Sequence, residues 1–89
     1  MRMYCVYILY SPSSGKTYTG FTSDIERPLT EQNVIETSGF TLRVRPWKLI
    51  HTVCYENEPE AMNLERFFKT EEGMEQVKGI VRDYLDRQK

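Results

Sequence analysis

The run from Tyr4 to Tyr10, YCVYILY, is β-branched and aromatic, and Lys16 to Phe21, KTYTGF, resumes that composition after the turn-rich SPSSG. The two predict a β-hairpin in which Gly15 supplies the positive φ that such loops need. Ser23 followed three residues later by Glu26 is a capping box, which predicts a helix beginning at Ser23, carrying Ile25 and Leu29, and fading near Asn33. The next segment, VIETSGFTLRVRP, has no helical period and reads as a loop with one or two extended pieces. From Trp47 to Tyr55, WKLIHTVCY alternates Leu49, His51 and Val53 against Ile50, Thr52 and Cys54, the pattern of a third strand.

Pro59 suits a first helical position, so a helix is expected from Glu60 through Lys69. A last helix, from about Gly73 to Arg87, places Val77, Ile80, Val81, Tyr84 and Leu85 on one face. The order β-β-α-β-α-α predicts an α+β fold, a small antiparallel three-stranded sheet flanked by helices. Its 89 residues read as one domain, residues 1–89, without repeats. A chain of this size buries roughly 60–65% of its unfolded surface and folds without staples.

Composition narrows the class. The hydrophobic fraction of 39%, with 12% aromatics, is globular. No apolar run approaches the ~20 residues a membrane helix needs, and Met3 to Tyr10 is too short for a secretory signal, so the expected location is cytoplasmic. Cys5 and Cys54 lie inside strand-like runs and not at metal-ligand spacing, which favours reduced, buried packing residues over a disulfide or a zinc site. The net charge of −1 excludes a dominant attraction to phosphate backbones. Charge is unevenly placed, however: Arg43, Arg45 and Lys48 surround Trp47, whereas Glu56, Glu58, Glu60, Glu65, Glu71, Glu72 and Glu75 follow. Any nucleic-acid contact must be local, and RVRPWK offers guanidinium groups for phosphates and an indole for stacking.

Among candidate chemical groups, Glu65 shares a helix face with Ala61, Leu64 and Phe68. A carboxylate inside an apolar stripe needs a partner, either an arginine at the stripe's edge or a bound cation. Tyr7 and Tyr18 lie mid-strand on the two hairpin arms, where paired aromatics commonly only pack. His51 is the one histidine, and on a strand face with Leu49 and Val53 it reads as packed.

Taken together, CVYILYS…GKTYTG, RPWKLIHTVCYE and EAMNLERFFKT resemble the GIY-YIG nuclease domain, in the small group related to the nuclease half of the UvrC excision-repair subunit. The two naming motifs are represented by Cys5-Val6-Tyr7 and Tyr18-Thr19-Gly20; the first glycine is missing, while both tyrosines and Gly20 remain. The resemblance implies that Tyr7 and Tyr18 line the active site, one of them orienting or deprotonating the attacking water. It implies that Glu65 is the metal-binding glutamate, holding a single Mg²⁺ or Mn²⁺ partly through waters. The implied reaction is metal-dependent hydrolysis of a DNA phosphodiester.

Two departures bear on that activity. Members of the group typically carry Glu-Arg-Arg-Leu-x-Glu-His-Asn across the first helix; here the stretch is Glu26-Arg27-Pro28-Leu29-Thr30-Glu31-Gln32-Asn33. Pro28 stands where the resemblance puts the phosphate-binding arginine and Gln32 where it puts the histidine. Proline carries no cation and glutamine exchanges no proton near neutral pH. Arg27 points about 100° away around a helix. In addition, Glu71, Glu72 and Met74 occupy a turn that is usually glycine-rich and basic. Two readings follow: a weakened endonuclease with Arg27 or Arg43 in the phosphate role, or an inactive relative that binds nucleic acid or protein. At roughly the fifth helical position, Pro28 also predicts a kink or a late start in the first helix.

Overall fold

The computed structural model describes residues 2–25, 30 and 47–88. Strand β1 (Met3–Ser11) turns through residues 12–15 into β2 (Lys16–Ile25), with Gly15 at φ 72° and its N–H donating to the Ser11 carbonyl at 2.7 Å. Strand β3 (Lys48–Tyr55) pairs with the other edge of β1, giving an antiparallel sheet of order β2-β1-β3. Two helices follow, α1 (Glu58–Phe68) and α2 (Glu71–Arg87). This is the expected α+β architecture. The expected first helix, with Arg27, Pro28 and Gln32, lies outside the described residues, as do Arg43 and Arg45.

That helix does not begin at Ser23. Strand β2 continues to Ile25, which pairs with Met3 across an irregularity in the ladder. A neighbouring strand offers each added residue a backbone partner, and here this outweighs the local capping box.

The middle strand is buried on both faces, from Cys5 through Ser11. Its alternating side chains feed two layers. Val6 and Ile8 pack with Ala61 and Phe68 of α1 and Val77 of α2, joined by Phe21, Ile50, Leu64, Ile80 and Val81. Tyr7 and Leu9 form a separate cluster with Trp47 and Leu49.

Strand β3 departs from strict alternation. Ile8 pairs with His51 but Leu9 with Leu49, so Ile50 is an extra residue in the ladder. Below the bulge Leu49 joins Tyr7 and Leu9, while Ile50 turns to the helix layer, where the His51 ring meets Phe68.

The same register corrects the reading of the cysteines. Cys5 and Cys54 are directly opposed on β1 and β3, with Cα atoms 4.1 Å apart, and are joined as a disulfide. Opposed residues of an antiparallel pair lie close enough to bond, a proximity that neither local pattern contains.

Helix caps set the remaining boundaries. The Asn57 Oδ1 accepts from the Glu60 N–H at 2.9 Å, and its Nδ2 donates to Glu60 Oε1 at 2.9 Å, so α1 starts at Glu58 and Pro59 falls in its first turn. The Thr70 hydroxyl donates to the Phe67 carbonyl at 2.6 Å and accepts from the Gly73 N–H at 3.0 Å, ending one helix and starting the next. Gly73 is buried in that junction: a Cβ there would lie 2.5 Å from the Phe67 carbonyl carbon and 2.7 Å from Phe68 Cα. None of the helices among the described residues is long and apolar enough to cross a membrane.

Alanine is the better helix former by about 1 kcal/mol. Gly73→Ala is nevertheless expected to destabilise the fold by about 1–3 kcal/mol, because the new methyl meets backbone that cannot yield. Urea unfolding measures the difference, and a gain in stability would contradict the close α1–α2 junction.

Candidate active site

The hairpin register decides which residues can act together. Tyr7 pairs with Gly20 and Leu9 with Tyr18, so Tyr18 is the diagonal neighbour of Tyr7 on one face of the sheet. Their ring centroids are 6.4 Å apart and their planes inclined by 51°. The environments differ: Tyr7 is 4% exposed, while Tyr18, on an edge strand, is 37% exposed.

Gly20 makes this arrangement possible. A Cβ at position 20 would lie 2.5 Å from the Tyr7 hydroxyl and 2.6 Å from its Cε1, and it would also overlap Cζ. The phenol ring therefore lies across the bare backbone of β2, which directs its hydroxyl toward the strand that carries Tyr18. On the other side of Tyr7, its direct partner is Thr52 of β3. Only the register reveals that neighbour; nothing in the local sequence marks Thr52.

Glu65 arises from a different element. Its helix α1 packs through Ala61, Leu64 and Phe68 on the layer that contains Val6 and Ile8. Because side chains alternate along β1, this is the face opposite Tyr7. Glu65 borders that apolar stripe, with its side chain 23% exposed, and its Oε2 accepts from Lys69 Nζ at 3.4 Å. The partner expected to be an arginine is thus a lysine four residues on, an exposed pair worth ~0.5 kcal/mol or less.

Of the basic cluster, Lys48 is described: it opens β3 beside Trp47 and pairs in register with Tyr10. Glu71 and Glu72 are exposed in the first turn of α2, where carboxylates complement the helix dipole. His51 belongs to the helix layer, its ring 6.3 Å from that of Phe68 at 77°, and burial lowers its pKa from 6.5. It is a packed histidine, as its strand pattern suggested.

A family model for the GIY-YIG catalytic domain matches residues 3–77. The chain belongs to the GIY-YIG family. Relatives of this GIY-YIG domain include the UPF0213 protein YsiG of Lactococcus lactis, 32% identical over 90 residues that cover 100% of this chain and 85% of that protein. A UPF0213 protein of Halobacterium salinarum is 35% identical over 63 residues, 71% of this chain and 80% of the other. One of Streptococcus agalactiae is 35% identical over 57 residues, 64% and 65% respectively. The solution NMR structure of a UPF0213 protein from Bacillus halodurans superposes with a TM-score of 0.54 at 28% identity, covering 88% of this chain and 84% of that one. Within this GIY-YIG domain, Tyr7 and the Tyr18-Thr19-Gly20 motif lie side by side on β1 and β2.

Two measurements test the geometry. Gly20→Ala is expected to cost about 1–3 kcal/mol in the native protein but much less in a Tyr7→Ala background, since the overlapping ring is then gone. Equal costs in both backgrounds, measured by urea unfolding, would show that Gly20 serves something other than Tyr7. For His51, the native state disfavours the imidazolium, so the unfolded chain binds the proton first as pH falls. Stability is therefore complete above the unfolded pKa of 6.5 and declines as pH drops through that value toward the lower folded pKa. Denaturation from roughly pH 7.5 to 5.5 should show this decline, and it should be shallower in His51→Gln.

Proposed function

We propose that this GIY-YIG domain hydrolyses DNA phosphodiester bonds with a divalent metal ion, at a rate lowered by Pro28 and Gln32. The observation that carries the reading is the Tyr7–Tyr18 pair over Gly20. The absent side chain of Gly20 leaves the room that the Tyr7 ring and its hydroxyl occupy beside Tyr18.

A neutral phenol both donates and accepts a hydrogen bond, but with a usual pKa near 10 it is a weak base at neutral pH. Tyr7, held by the sheet, orients the attacking water, and Tyr18, reaching solvent, passes its proton outward. Glu65 is the residue that would hold the ion. The donor set suits it: one partly buried carboxylate fits a hard ion such as Mg²⁺ or Mn²⁺, which takes one or two protein carboxylates and keeps several waters. Among the described residues no three His, Cys, Asp or Glu side chains gather as a larger cage. When bound, such an ion stabilises charge on the leaving oxygen. Lys69 neutralises Glu65 until then, and Lys48, with Arg43 and Arg45 close in sequence, supplies the local positive charge for flanking phosphates. Glu65 stands on the helix layer and the tyrosines on the opposite face, so the reading requires one phosphate to meet both past an edge of the sheet. The implied setting is the cytoplasm, on DNA, in a role akin to excision repair.

The sequence departures favour a second reading, a catalytically inactive domain that binds nucleic acid or protein. Loss of a phosphate clamp and of an acid–base group each lowers rates by on the order of 10²-fold or more. Nicking of supercoiled DNA with Mg²⁺ or Mn²⁺ separates the two. Slow nicking is expected from the natural sequence, abolished by Glu65→Ala and raised at least ~10²-fold by Pro28→Arg with Gln32→His. If the doubly restored protein still does not cleave, the nuclease reading fails, and DNA affinity at ~50 mM salt then tests the binding reading.

A further inference from the structure

Cys5 and Cys54, the chain's two cysteines, are bonded to each other and take no part in the proposed hydrolysis. Their position is specific in two ways. On β1 Cys5 is two residues from Tyr7, and on β3 Cys54 is two residues from Thr52, the direct partner of Tyr7. The bond thus ties β3 to the strand of the tyrosine, on the same face and at the next same-face pair. The two residues are also unequally shielded. Cys5 is fully buried in the central strand, whereas Cys54 is half-buried on an edge strand whose ladder is already interrupted at Ile50.

We infer that Cys5–Cys54 is a thiol–disulfide exchange site for a dithiol reductant, and that its state sets how firmly β3 is held to β1 beside Tyr7. Cys54 is the less shielded residue of the two, so its Sγ is the atom attacked. A reductant thiolate attacks it, the Cys5–Cys54 bond breaks, and Cys5 leaves as a thiolate that takes up a proton. The reductant's second thiol then attacks the mixed disulfide and closes the reductant's own disulfide. Cys54 is released and protonated in turn. Two electrons and two protons pass from the dithiol to the pair. Reduction leaves two thiols at opposed strand positions, poised to close again when an oxidised dithiol is in excess. The bond spans a sequence separation of 49 residues, so its loss removes a long-range constraint and not a local one.

The inference is independent of nuclease activity, and its test uses no DNA. The full chain is equilibrated in buffers of graded reduced and oxidised dithiothreitol, acid-quenched, and its thiols counted by mass-tagging, with urea unfolding run on both end states. Expected is a single two-electron transition of the folded protein between no tags and two. The reduced form should show a folding equilibrium constant lower by on the order of 10²–10³-fold, the size expected for a loop this long. A Cys5→Ala, Cys54→Ala variant should unfold at one urea concentration in either buffer. Two tags at every ratio would overturn the inference, since the pair would then never bond. So would tags that appear only in unfolding urea, or equal stability of the two end states. The tag count on the natural sequence decides the matter even if the double variant does not fold.

Discussion

A strand with neighbours on both sides satisfies its backbone completely, and with layers on both faces it has no side chain left for water. Strand β1 is in that position, and this places everything else. Because its residues alternate, burying Val6 and Ile8 under the helices obliges Tyr7 and Leu9 to face the other way. The tyrosine cannot be moved to the helix layer without exchanging every neighbour along the strand. A side chain fixed in that manner has few rotamers open to it, which suits the water-orienting role proposed for Tyr7.

The same constraint explains why Gly20 and the bulge in β3 belong together. Tyr7 is bulky for a site between two strands. On the β2 side, room comes from a residue without a side chain; on the β3 side, its direct partner in the ladder is Thr52. The extra residue at Ile50 then corrects the parity of β3, so that Leu49 can close the tyrosine layer while Ile50 fills the helix layer. Without the bulge the two would be exchanged, Ile50 opposite Leu9 in the tyrosine layer and Leu49 opposite Tyr10 on the helix side.

What could be read from the chain divides along the range of the interaction. The hairpin, its Gly15 turn and the last two helices were legible because each depends on residues within a turn or two of one another. The capping box at Ser23 misled for the same reason: it is a local signal, and the ladder to Met3 is a distant one. Cys5 and Cys54 read as packing residues because their pairing is created by register and by a bulge, and neither is written in spacing. Tyr7 and Tyr18 were legible as a motif, but their sharing a face required the Tyr7–Gly20 pairing. Glu65 was legible as an odd carboxylate; its lysine partner stood four residues on, at a spacing that helices routinely use.

Acidic residues along the two helices argue against broad contact with nucleic acid, yet their positions have reasons of their own. Glu58 and Glu60 stand in the first turn of α1, Glu71 and Glu72 in the first turn of α2, where unpaired N–H groups favour negative charge. Glu60 also completes the Asn57 cap. These carboxylates stabilise helix starts whatever the chain binds, so they cannot be counted as a surface evolved to repel phosphate. Under the proposed function, they leave the basic stretch around Trp47 as the local source of positive charge. Lys48 opens β3 opposite Tyr10, whose ring meets Tyr84 of α2, so this cation belongs to the helix face of the sheet and not to the face of Tyr7.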